Sequence, residues 1–197
     1  MRVVVDGKPQ LELTATHERG IRPMREVASV EGAVLSPDEA TQAYATQQKT
    51  LFVILGAIAA VLTTSLSLLA APQDQALVLA VIAAANLALW VFFYVILRRR
   101  MAAWNAALAQ RSLGLPPAGT RVRIDAMGLT VDDRLLERAA LRIDQVELSE
   151  HRARGVSIFL IERLSLATAS EVVVLDSAMI GNGRLLTGNV WRRLQGT

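Results

Sequence analysis

The sequence predicts an α+β protein made of two unlike parts: a two-helix transmembrane hairpin, and a small C-terminal antiparallel bent sheet or barrel capped by a helix. Three observations predict it. Residues 51–97 carry a single charge, Asp74. The apolar run LWVFFYVIL ends directly in Arg98, Arg99 and Arg100. From Gly119 onward apolar and charged residues alternate, and the chain closes on a segment with helical spacing. The chain has 197 residues, 52% of them apolar. A soluble core spreads its apolar residues along the sequence, so their concentration in residues 51–97 points to a bilayer.

In chain order, residues 1–35 read as an N-terminal cytoplasmic segment with short strands. VVVDGKPQLELT gives two strands around an Asp6-Gly7 turn. Residues 36–50 read as a juxtamembrane helix running into the membrane. Ser36 caps it, Pro37 fits its first turn, and Glu39 completes a capping box. Transmembrane helix 1 is 51–71 and transmembrane helix 2 is 76–97, and neither contains a charge. At about 1.5 Å per residue each spans the roughly 30 Å hydrocarbon core. The first run begins too far along the chain for a signal peptide.

The external loop, 72–75, is PQDQ and has no Lys or Arg. Lys49 flanks the first span, and Arg98, Arg99 and Arg100 follow the second. Basic residues stay on the cytoplasmic side, so these four are the topology anchors. They predict a multi-pass protein of the cytoplasmic (inner) membrane with both termini inside. Gly56, Ala60, Thr63 and Ser67 form a small-residue stripe on one span, and Ala76, Ala80 and Ala83 form one on the other. Small stripes let helices approach closely in lipid. Asn86 falls near the middle of the second span, where Thr63 or Thr64 is its expected partner, a contact worth about 0.6–2 kcal/mol. Trp90 and Tyr94 lie toward the cytoplasmic end, as interfacial aromatics do. Residues 98–117 form a basic helical arm and linker. Met101, Trp104 and Leu108 share one face of it, suited to the membrane surface or to the following domain, and Gly114, Pro116 and Pro117 end it.

The C-terminal domain is 118–197. Val122 and Ile124 alternate with charges, and GLTV follows a turn at Ala126-Met127. Leu135 to Arg142 extends as a further strand. IDQVELSEH gives one short turn or strand, with a hairpin turn at Arg154-Gly155. VSIFLI and EVVVLD are strong strands, and Leu185 to Leu194 is a closing helix.

A membrane hairpin followed by RVRIDAMGLTV, LRIDQVELSE, GVSIFLIE and EVVVLDSAMIG resembles the YcxB-like bacterial membrane proteins. Asp125 and Gly128 match that family's acidic-then-Gly strand pair. Ile143-Asp144 with Val146 roughly matches its turn before a strand. The SPD helix start at 36–38 is also similar. Leu141 stands where the family often has Trp, and Leu175-Asp176 where it often has Ile-Pro. The resemblance implies a C-terminal domain similar to pleckstrin-homology (PH-like) domains. It brings no enzymatic activity with it.

Function classes narrow accordingly. There is no cysteine, which excludes disulfides and thiolate metal sites. The net charge of +3 is concentrated at 98–117, which has four arginines and no acid, so no nucleic-acid face is indicated. His17 and His151 read as surface histidines, Asp132-Asp133 as a solvated turn, and GNG at 181–183 as a turn without the Lys of a phosphate loop. No nucleophile is paired with a base, so no catalytic, metal or cofactor-binding residue is assigned. The leading expectation is a non-enzymatic interaction or scaffold protein presenting its domain at the cytoplasmic face. Its partners are membrane lipid and either an unidentified protein or further copies of itself. The first alternative is anionic-lipid sensing through Arg152, Arg154 and the 98–111 arm. The second is an oligomeric small-solute transport component lined by Asn86, Thr63 and Ser67.

Overall fold

The computed structural model describes residues 1–10, 13–14, 17, 21, 27–69, 75–153 and 156–195. They divide into two units, residues 1–40 with 110–197, and residues 41–109. The strands are β1 (Arg2–Val5), β2 (Lys8–Gln10), β3 (Val30–Ala33), β4 (Arg121–Ile124), β5 (Gly128–Val131), β6 (Arg134–Glu137), β7 (Arg142–Ala153), β8 (Val156–Ala167) and β9 (Val172–Asp176). The helices are α1 (Pro37–Leu69), α2 (Gln75–Arg111) and α3 (Gly183–Gln195).

The first unit is globular. β1 and β2 are joined by Asp6 (φ 48°) and Gly7 (φ 75°), both left-handed. That is the hairpin geometry Asp-Gly favours, because its twist matches that of the strands. β1 also pairs in parallel with β7, Val3 opposite Val146 and Val5 opposite Leu148. The resulting sheet is mixed, in the order β2-β1-β7-β8-β9. A second sheet, β3-β4-β5-β6, is antiparallel throughout. The expectation of one bent antiparallel sheet or closed barrel is therefore corrected to two sheets. The cause is local: a single 3-10 turn at Arg138–Ala140 separates β6 from β7, and Leu141 is buried just beyond it. The turn also cuts short the strand expected over 135–142.

The N-terminal residues thus belong to the same unit as 118–197, rather than forming a segment of their own. β1 occupies one edge of β7, and β3 opens the antiparallel sheet against β4. Gly32 in β3 is required there, since a side chain would collide with the carbonyl of Gly181. Val3, Val146, Leu164, Leu166 and Leu175 from the mixed sheet share a core with Val122, Leu129 and Leu136 from the antiparallel one. α3 lays Leu186, Val190 and Trp191 on that core and contacts β3, β4, β8 and β9. Fully burying one such side chain is worth about 1.5–3 kcal/mol. IDQVELSEH, expected as a short element, is most of a twelve-residue strand.

The second unit is helical. α1 and α2 are both long and apolar enough to cross a membrane. Only 6% of the apolar window of α1 and none of that of α2 is buried inside the protein. A soluble core helix would bury at least a stripe. Here Val53, Val61, Leu62, Leu77, Val81, Leu87 and Phe92 all face outward. The juxtamembrane helix and first span form one continuous helix, and the second span runs on through the arm to Arg111. Of the expected loop 72–75, residues 72–74 lie outside the described residues.

Candidate functional site

The helical pair is keyed together by aromatics rather than by two small-residue stripes. Phe52 meets Phe93 edge-on, with ring centroids 5.4 Å apart. Gly56 receives Trp90: a Cβ at Gly56 would lie 3.1 Å from Trp90 Cζ2. Of the packing residues expected, Gly56 and Thr63 are half-buried, while Ala60, Ala80 and Ala83 are exposed. The half-buried face of α2 carries Asn86, also expected in the packing, together with Val78, Ile82 and Phe93. Bulky side chains fill the seam, so the alanines are left outside it. Thr63 and Thr64 each donate to the Ala60 carbonyl of their own helix, at 3.0 and 2.8 Å. An unmet hydroxyl in an apolar run is satisfied most cheaply by its own backbone. The side chain of Ser67 lies outside what is described.

Beyond the apolar windows the two helices form a polar stalk. Trp104 stacks on Tyr44, centroids 4.6 Å apart and planes 7° apart, and its Nε1 donates to Thr41 Oγ1 at 3.1 Å. The indole that suggested an amphipathic arm is thus 7% exposed against α1. One level nearer the apolar run, Arg100 Nη1 donates to Gln48 Oε1 at 3.2 Å, and Gln48 is itself buried. Lys49, Arg98, Arg99 and Arg100 are all exposed.

In the globular unit, a polar network has no counterpart in the sequence reading. Arg111, the last residue of α2, bridges Asp176 at 3.0 Å and Glu162 at 3.2 Å. Glu162 is unpaired in the β7–β8 ladder: Leu148 faces Ile161 and Glu147 faces Arg163. A bulge of this kind re-aims a side chain, and it turns Glu162 toward Arg111. Glu162 Oε1 also accepts from Ser149 at 2.9 Å. Asp176 is 1% exposed and accepts the amides of Ala178 and Met179 as well. Burial pushes the Asp176 carboxyl above its ordinary value, opposed by Arg111 and those amides. The Arg111 guanidinium is likewise raised: its burial acts against this, and the two carboxylates outweigh it. Next to it, Arg163 donates to the carbonyls of Gln110 and Leu113, closing the open end of α2. The network therefore holds Gln110, Arg111 and Leu113 against β8 and β9 within the globular unit. Its three charged members follow no sequence motif, so the sequence reading did not single them out.

The remaining candidates are quickly placed. Arg152 has an 80% exposed side chain and pairs with Glu150 at 2.8 Å. Hydrogen bonds from Arg152, then from Ser157, hold the Glu150 carboxyl below its ordinary value. Arg152 thus brings its own counter-charge, which weakens it as a lipid contact. Arg154 lies outside the described residues. Asp132 (φ 51°) accepts the Arg121 amide at 2.9 Å, and Asn182 (φ 57°) donates to the Glu31 carbonyl, so both are turn residues. His17 contacts Thr14 and packs edge-on against Phe159; His151 lies 3.4 Å from Ser149. No group of three His, Asp or Glu side chains among the described residues is arranged to hold a metal ion. Comparison with protein-family models, with curated proteins and with solved structures finds no match to this chain.

Proposed function

We propose that this chain is a membrane-anchored, non-enzymatic interaction protein. Its two-helix hairpin is embedded in the cytoplasmic membrane and holds a PH-like, YcxB-like globular domain at the cytoplasmic face. There the domain binds a protein partner or a second copy of the chain. One observation carries the reading: the globular unit is made from the chain on both sides of the hairpin, residues 1–40 and 110–197. A folded unit can lie on only one side of a bilayer, so the hairpin leaves and returns and both termini share that side. Lys49 and Arg98–Arg100 mark it as the cytoplasmic side. The antiparallel β3–β6 set, the β7–β9 set and the closing α3 support the PH-like assignment.

Crosslinking of the full chain in native membranes, followed by co-purification, tests the interaction role. A reproducible crosslinked partner or homo-oligomer through the globular unit is expected. Recovery of a lone monomer at every crosslinker concentration would contradict it.

A further inference from the structure

Three consecutive arginines on a helix cannot do the same thing. Successive residues are about 100° apart around the axis, so Arg98 and Arg99 point roughly 200° and 100° away from Arg100. Arg100 is committed to α1 through Gln48 at 3.2 Å. Arg98 and Arg99 therefore aim away from α1, outward from the pair, at the level where the apolar run ends. Lys49, next to Gln48 in α1, stands at the same level. The charge balance here is one-sided. Between Glu39 and Asp125 the only acid is Asp74, at the far end of both apolar runs. Among the described residues, none of Lys49, Arg98, Arg99 or Arg100 has a carboxylate within ion-pairing distance.

This contrasts with the arginines of the globular unit. Arg111, Arg123, Arg134 and Arg152 each sit against a carboxylate. Lys49, Arg98 and Arg99 thus stand at the end of the hairpin in a stretch of sequence that supplies no nearby acid. We infer that Arg98 and Arg99, with Lys49, form a binding site for the phosphate of anionic phospholipid headgroups, whereas Arg100 is a structural residue of the helical stalk. The inference rests on the membrane reading above. It narrows the lipid contact from Arg152, Arg154 and the 98–111 arm to the base of the stalk. A planar guanidinium offers paired N–H donors to phosphate oxygens, and the neighbouring apolar run places the acyl chains on the same surface.

The test uses the full chain in nanodiscs of equal parts phosphatidylcholine and phosphatidylglycerol, with the lipids retained by the protein read by native mass spectrometry. Nanodiscs are open on both faces, so a change of orientation does not interfere. Stable, stoichiometric incorporation that resists alkaline extraction shows the hairpin embedded; its failure sinks the membrane reading and not this inference alone. Given incorporation, phosphatidylglycerol enrichment is expected, falling about fivefold for each arginine removed in R98Q and R99Q. It should survive in R100Q. Enrichment unchanged in R98Q/R99Q, or lost equally in R100Q, would overturn the assignment. Replacing chloride by inorganic phosphate at equal ionic strength should leave enrichment unchanged. Competition by phosphate beyond that of chloride would show a site for the free anion and also overturn it.

Discussion

The globular unit and the helical pair are built from the same apolar residue types, arranged inside out with respect to each other. In the first, Leu129, Leu164, Leu166, Leu175 and Leu186 are sealed from solvent. In the second, Val53, Leu77 and Leu87 are each more than 65% exposed, and glycine and aromatic rings hold the seam. Polar groups differ in the same way. The globular unit brings Arg111, Glu162 and Asp176 together from distant parts of the chain. In the apolar part of α1, Thr63, Thr64 and Ser65 bond to carbonyls of their own helix. The difference fits the surroundings proposed for each unit. Water drives apolar side chains inward, while a hydrocarbon solvent removes that drive and penalises only unmet polar groups.

The largest expected effect lies in the globular unit. Arg111→Ala strands Asp176 as a buried charge and should cost about 3–5 kcal/mol, read as denaturant or thermal unfolding of the full chain. The cost should shrink as pH falls. The Asp176 pKa is raised in the fold, so its contribution is present below the ordinary carboxylate value and lost as pH rises through the folded value. Without Arg111 a proton takes over the neutralisation. Equal destabilisation at acid and neutral pH would break this account.

Leu87→Arg sharpens the comparison most. Leu87 is 67% exposed, and an exposed site in water tolerates such a change within about 0.5 kcal/mol. Near the middle of a membrane span the same change costs about 2.5–3.5 kcal/mol. Reduced membrane insertion of Leu87→Arg is expected; normal insertion would show the helix lies elsewhere.

At the junction the effects are smaller. Ser36→Ala removes the hydroxyl that accepts the Glu39 amide and donates to the Glu39 carboxylate, and should cost about 1 kcal/mol of unfolding stability. The amide, then the hydroxyl, of Ser36 holds the Glu39 carboxyl below its ordinary value. This contribution therefore has the opposite sign to that of Asp176: present above the ordinary carboxylate range, lost as pH falls through the folded value. The deficit of Ser36→Ala should narrow at acid pH without vanishing, since the bond from the Glu39 amide to the Ser36 hydroxyl does not titrate. Arg152→Gln should be the mildest change, leaving the melting temperature unaltered, since exposed pairs contribute little.

What was legible in the sequence was local. The Asp6-Gly7 hairpin, the Ser36 cap and the two charge-free runs each announce themselves within a few residues. The parallel pairing of β1 with β7 joins segments some 140 residues apart, and no local pattern encodes it. β7 was missed because its ladder skips Asp144 and then meets the bulge opposite at Glu162. Those irregularities break the two-residue period on which strand reading depends. The Arg111 network follows from that bulge. The outward position of Ala80 and Ala83 was missed because a stripe of small residues says nothing of which face a Trp or Phe will claim.

The chain has no cysteine, so single cysteines report position without background. The most direct measurement is labelling of Asp74→Cys and Ser170→Cys in intact cells with a membrane-impermeant maleimide. The account predicts that Asp74→Cys reacts from outside and that Ser170→Cys reacts only after lysis. Labelling of Ser170→Cys in intact cells, or protection of Asp74→Cys until lysis, would contradict it.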